Sequence, residues 1–188
     1  MENKQKEIKQ QETNKESFAK KVGQYITTIL LAVVLALGFR TYVFARVTVS
    51  GQSMQDTLHN NDSLFIEKVS AETHNIKRGQ IIVFDSKTMN DSNFIKRVIG
   101  VEGDIVEIKD GKVYLNGKVL QEDYLSPGTV TETNSPTTRV VVPKNHVFVL
   151  GDNRGNSMDS RTLGPIDINN IVGHAVLRVY PLKNIKIF

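Results

Sequence analysis

From Val22 to Phe39 the chain reads VGQYITTILLAVVLALGF, a run without a single charge. As an α-helix rising ~1.5 Å per residue it would be roughly 27 Å long, close to the thickness of a bilayer's hydrocarbon core. A transmembrane anchor, a cleavable leader and a buried core helix could each use such a run. A leader ends in small residues about three apart, and Leu37-Gly38-Phe39-Arg40 offers no convincing pair. Tyr42 and Phe44 suit the aromatic belt at a membrane surface, with Arg40 and Arg46 beside them, so the anchor is the preferred reading. Lys15, Lys20 and Lys21 precede the run and only Arg40 and Arg46 closely follow it. That asymmetry favours a cytoplasmic N-terminus, which places the chain from Thr41 onward outside.

The rest of the chain divides around this segment. Residues 1–21 are rich in Lys, Glu and Gln and nearly devoid of apolar side chains, too little to repay the entropy of ordering, and are expected to be a solvated, at most weakly helical tail. Residues 40–188 leave room for one domain of about 150 residues. Its charges are mixed: 24 Lys and Arg against 20 Asp and Glu give a net +4, without the basic stripe that nucleic acid requires. Cysteine is absent, which excludes disulfides, thiolate metal sites and cysteine nucleophiles, sortase-type chemistry among them.

This domain is expected to be mainly β. Residues 63–69, 80–84, 94–99 and 146–150 are short runs of Val, Ile and Phe bounded by Gly, Asn and Asp, the pattern of strands. Residues 112–120 read as a hairpin, because Asn116-Gly117 suits a two-residue type I′ turn. Residues 121–138 are polar with two prolines and are expected to form an exposed excursion.

Three segments carry possible chemistry. In SGQSMQDTL (50–58), Ser53 follows a glycine-containing turn, where a hydroxyl could become a nucleophile if a base stood close, although a plain loop has the same composition. In FIKRVIGVEGD (94–104), Lys96 interrupts an apolar strand and shares a face with Phe94 and Val98, with Arg97 on the other face. Desolvation there would lower its pKa toward that of a working base, whereas a solvent-facing edge lysine fits the same letters. GDNRGNSMDSR (151–161) is dense in turn-forming residues, and its oxygens do not follow the spacing of a calcium loop, so no metal site is assigned.

With RGQIIVF (78–84), these segments resemble the successive motifs of type I signal peptidases, in the family's order behind one N-terminal anchor, and the short chain resembles the small Gram-positive form. The resemblance implies a fold of coiled antiparallel sheets related to that of LexA-like repressors, and a serine endopeptidase without cofactor or metal. Such an enzyme removes the signal peptides of exported preproteins at a phospholipid membrane, after small residues at −3 and −1. It makes Ser53 the nucleophile, its backbone N–H an oxyanion donor, and Lys96 the general base. Ser157 is implied to hydrogen-bond the lysine amine, Asp159 and Arg161 to form a bracing pair, and Asp152 and Asn153 to support the site. Val47, Val49, Gly51, Met54, Leu58, Phe94 and Ile95 are implied to line the substrate pockets. Four positions depart from the family pattern. Gly51 replaces a side-chain oxyanion donor found in some members, Asp56 replaces proline, Gln80 replaces aspartate and Phe94 replaces a tyrosine. None of the four histidines falls in a dyad motif. Two rival functions are disfavoured: a LexA-like repressor needs a helix-turn-helix for which the tail has no room, and a tethered scaffold has no use for Ser53, Lys96 and Ser157 in these motifs.

Overall fold

The protein is described here as a computed structural model covering residues 2–87, 93–133 and 139–188, without the side chains of 2–19 and 39–41. The side chain of Arg40 and the last five residues of the polar excursion therefore lie outside the described residues. Two compact units divide the chain, residues 1–42 and 43–188, and each is taken by itself.

The first unit is one helix, α1 (Glu2–Val43). Its helical backbone runs through the polar segment from Glu2 onward. Lys, Glu and Gln are good helix formers, and a helix already nucleated by the apolar segment extends through them one hydrogen bond at a time. Lys20–Gly38 is long and apolar enough to cross a membrane, and no part of it is buried. Its two threonines satisfy their hydroxyls internally: Thr27 Oγ1 donates to Gly23 O and Thr28 Oγ1 to Gln24 O, both at 2.9 Å. A polar side chain that bonds its own helix can enter hydrocarbon at reduced cost.

The second unit is built from antiparallel strands. In chain order these are β1 (Phe44–Thr48), β2 (Ser63–Glu67), β3 (Ile81–Asp85), β4 (Asn93–Val101), β5 (Ile105–Lys109), β6 (Lys112–Leu115), β7 (Lys118–Val119), β8 (Arg139–Val141), β9 (His146–Leu150), β10 (Ile166–Asp167), β11 (Ile171–Tyr180) and β12 (Lys186–Ile187). A short helix, α2 (Val69–Glu72), follows β2, and another, α3 (Ser160–Leu163), follows the loop after β9. The larger sheet runs β1-β2-β11-β3-β4-β9-β10, with β12 on β11; the smaller runs β7-β6-β5-β8. Mainly antiparallel β structure after one apolar helix is thus what the chain forms. The expected hairpin is present, with Asn116 and Gly117 at φ 51° and 80°, as a type I′ turn requires.

The larger sheet is apolar on both faces. Along β3, Ile82 and Phe84 join one cluster with Val98, Val147 and Val149, while Ile81 and Val83 join another with Met54, Leu58, Leu64 and Ile66. A third cluster, of Ile99, Val106, Ile108, Val113, Val142, Phe148 and Leu150, joins the two sheets. Between them Arg78 Nε donates to Asp104 Oδ2 at 2.7 Å and Asn116 Nδ2 to Asp104 Oδ1 at 2.9 Å, so two of the motif residues serve as scaffold.

At Gly173 in β11 an added Cβ would sit 2.4 Å from the Glu67 carbonyl oxygen, whereas at Gly155 it would meet nothing within 4 Å. Gly173→Ala should therefore destabilise by about 1–3 kcal/mol, the usual cost of overpacking, and Gly155→Ala should stay within about 0.5 kcal/mol of the parent. Thermal unfolding of the two variants side by side checks this, and equal midpoints would contradict the packing described.

Candidate active site

Ser53 sits in a run of tight turns between β1 and β2, opened by Gly51 at φ 97°, a conformation that favours glycine. The turns are held by Leu58 N donating to Met54 O at 2.8 Å and by Met54 and Leu58 anchored in the core. Lys96 comes from β4, directly opposite Ile82 of β3. It shares the face of Phe94, whose ring centroid lies 5.1 Å from Nζ, as the alternation of the strand predicts. The two residues meet: Lys96 Nζ donates to Ser53 Oγ at 2.8 Å and to Ile95 O at 3.0 Å.

Lys96 is not an edge lysine reaching for water, since only 4% of its surface is accessible. Burial lowers its pKa to about 8, against the opposing pull of the Asp159 and Asp152 carboxylates. An amine with that pKa is mostly protonated at pH 7 but keeps a minor neutral fraction that grows as pH rises through about 8, and the lone pair of that fraction can take the hydroxyl proton. The Ser53 amide donates to no acceptor among the described residues. The Gly51 amide is already committed to Asn60 Oδ1 at 3.0 Å.

The loop after β9 closes the site. Asn153 N donates to Ser53 O at 3.0 Å and its Nδ2 to Gln52 O at 3.1 Å, tying the loop to the turn that carries Ser53. Asp159 and Arg161 pair as expected, through Nε to Oδ1 and Nη2 to Oδ2, both at 2.8 Å, and Asp159 Oδ2 also accepts from Gly151 N at 3.0 Å. Asp152 accepts from Arg97 Nε at 2.9 Å and Nη2 at 2.7 Å, with Arg97 on the strand face opposite Lys96.

Two expectations change. Ser157 does not bond the lysine amine: its buried Oγ has no hydrogen-bond partner among the described residues. It is packed against Gly151, where a Cβ would lie 2.2 Å from it, and Lys96 Nζ is instead occupied by Ser53 and Ile95. Leu58 does not line the cleft. It is fully buried in the core with Leu64 and Ile66, because the turn it closes points it inward.

The cleft beside the dyad encloses about 490 Å³ and is lined by Val47, Val49, Gly51, Met54, Phe94 and Ile95 as expected. Val83, Asn156 and Met158 also line it. Met158 is the apolar member of a motif otherwise made of turn-forming residues, and Val83 belongs to RGQIIVF (78–84) and reaches the cleft because β3 pairs it with Ile95 of β4. Two strand edges flank the cleft: among the described residues β1 pairs only with β2, and β4 pairs with β9 only from Arg97 onward. The histidines lie elsewhere, His174 Nδ1 bonding Ser70 Oγ at 2.7 Å. Among the described residues no cluster of His, Asp or Glu could hold a metal ion.

A family model described as signal peptidase, peptidase S26, matches residues 22–180. A probable signal peptidase I-2 of Synechocystis sp. is 39% identical over 164 residues, 84% of this chain and 73% of that protein. A signal peptidase I of Bacillus amyloliquefaciens is 36% identical over 186 residues, 93% of this chain and 97% of that one. The solved signal peptidase I of Enterococcus faecalis V583 is 34% identical, with a TM-score of 0.45 over 53% of this chain and 95% of its own.

A buried lysine of lowered pKa destabilises the fold while it is charged. The penalty is complete below about pH 8 and disappears as pH rises from there toward the pKa of about 10.5 that it has when unfolded, since in that window only the unfolded chain binds the proton. Lys96→Met should therefore unfold at a higher temperature than the parent at pH 7, with the gain shrinking by pH 10. A variant less stable than the parent at pH 7 would show that the charged amine is welcome where it sits.

Proposed function

The chain belongs to the signal peptidase family, peptidase S26, and cleaves signal peptides from preproteins; we propose that it does so with Ser53 as nucleophile and Lys96 as general base. The observation that carries this is the 2.8 Å contact between a hydroxyl and a buried amine whose pKa is lowered to about 8. Neutral Lys96 takes the Ser53 proton as Oγ attacks the scissile carbonyl, and the Ser53 N–H stabilises the oxyanion. The protonated lysine gives its proton to the leaving amine. The resulting ester is then hydrolysed by a water that neutral Lys96 activates, which frees Ser53 and the new acid.

In the same reading the substrate lies extended in the cleft and adds main-chain hydrogen bonds to the free edges of β1 or of the first half of β4. Residues −1 and −3 then point to one side, as alternate residues of a strand do. The walls from Val47, Val49, Met54, Phe94 and Ile95, with Val83 and Met158, leave room for small side chains there. Residues 1–21 form a cytoplasmic tail, 22–39 a single membrane anchor, and 40–188 an extracytoplasmic peptidase domain. The exposed apolar surface of Lys20–Gly38 supports a lipid environment for that segment.

Members of one catalytic unit are strongly non-additive. Ser53→Ala, Lys96→Ala and the double variant should all fall to nearly the same residual rate on a preprotein, and losses that multiply would break the dyad apart. In the parent, the rate should rise with pH through the lysine pKa of about 8. Lys96→Arg should be inactive at every pH tested, because guanidinium keeps its proton. Orientation has its own measurement. The chain lacks cysteine, so Lys144→Cys at an exposed loop gives one thiol. A membrane-impermeant maleimide should label it in intact cells, and labelling only after lysis would reverse the topology.

A further inference from the structure

The excursion after β7 is largely exposed, as its polarity suggested, but Glu122, Tyr124 and Thr131 turn inward. Glu122 is only 10% exposed and pairs with Arg154, whose side chain is fully buried. Arg154 Nη1 donates to Glu122 Oε2 at 3.1 Å and to Thr131 Oγ1 at 2.6 Å, and its Nε donates to Gly151 O at 3.0 Å. Two residues on, Tyr124 Oη donates to Glu122 Oε1 at 2.6 Å, and its ring covers the Arg97 guanidinium with Cζ 3.9 Å from the ring centre. Burial and the neighbouring Glu122 carboxylate raise the pKa of that phenol well above its ordinary value, so it stays a donor across the working range.

Two contacts of these arginines lead toward the reacting groups. Arg154 holds the carbonyl of Gly151, and Arg97 holds the carboxylate of Asp152. Gly151 packs so closely on Ser53 O and Ser157 Oγ that a Cβ would lie within 2.5 Å of both, and the next residue but one, Asn153, donates to Ser53 O. We propose that Glu122 and Tyr124 are positioning residues: by fixing Arg154 and Arg97 they hold the Gly151–Asn153 backbone, and through it Ser53, in register with Lys96. The inference rests on the dyad reading given above. It assigns a part in catalysis to a segment outside the four motifs.

Glu122 touches neither the cleft walls nor the dyad, so its loss should be felt in turnover and not in binding. The test uses the full chain in detergent and a peptide with Ala at −3 and −1. Glu122→Gln should lower kcat by ~10–10²-fold, the cost of a displacement near 1 Å at a reacting centre, with KM within about threefold. It also strands the buried Arg154 cation, so part of the loss could reflect instability. The double variant Glu122→Gln/Arg154→Met separates the two causes. With no buried charge left unpaired its unfolding temperature should return toward that of the parent, while kcat stays low because Gly151 O has lost its donor. A double variant that recovers both stability and kcat would overturn the proposal, as would a Glu122→Gln enzyme with parental kcat. Ser53→Ala is the control that tells two failures apart. Cleavage that survives it sinks the dyad and this inference together, whereas parental kcat in Glu122→Gln beside an inactive Ser53→Ala sinks this inference alone.

Discussion

The turn that carries Ser53 and the loop after β9 come together at Gly151, and the rest of the site is arranged around that approach. A methyl group there would lie 2.5 Å from the Ser53 carbonyl oxygen and 2.2 Å from Ser157 Oγ, distances that no packed atom tolerates. Without a side chain, the backbone passes close enough for Asn153 N to reach Ser53 O. Gly151 also donates to Asp159 and accepts from Arg154, so both of its main-chain polar groups are satisfied in a region closed to water. An unpaired group there would cost about 1–3 kcal/mol.

Around this point three guanidinium–carboxylate pairs are buried together: Arg97 with Asp152, Arg154 with Glu122 and Arg161 with Asp159. Pairs of this kind contribute little net stability, because desolvation nearly cancels their attraction. Their value here is positional and electrostatic. Asp152 and Asp159 pull the Lys96 pKa upward while burial pushes it down, and each carboxylate is balanced by its own arginine. Burial wins, which leaves an amine able to act as a base, and the carboxylates keep it from being pushed further.

How much of this could be read from the chain depended on how local each signal was. Asn116-Gly117 declares its hairpin because the turn's geometry is set by those two residues alone. The face of Lys96 followed from strand alternation, but its burial did not, since an edge lysine and a buried one have the same neighbours in sequence. Strand β5 alternates plainly as Ile105-Val-Glu-Ile-Lys109 and could have been recognised. Strand β1 was obscured because Tyr42 and Phe44 also suit a membrane boundary. Glu122 was beyond reach: its partner Arg154 lies 32 residues away, and a polar, proline-containing stretch looks the same whether its charges meet water or one another. Ser157 shows the limit of analogy, because its motif matches while its buried hydroxyl has no hydrogen-bond partner among the described residues.

The two unpaired strand edges beside the cleft carry an implication for the other molecule in the reaction. An edge offers amides and carbonyls at a fixed spacing of about 3.3 Å per residue, and only a chain that has released its own backbone groups can meet them. A helix keeps those groups for itself. For a substrate that docks on these edges as proposed, the segment to be cut must first unwind, so the ease with which a leader's last turn frays becomes a selection criterion alongside the size of its side chains. A preprotein with alanines correctly placed inside a stable helix would be shielded by its own hydrogen bonds.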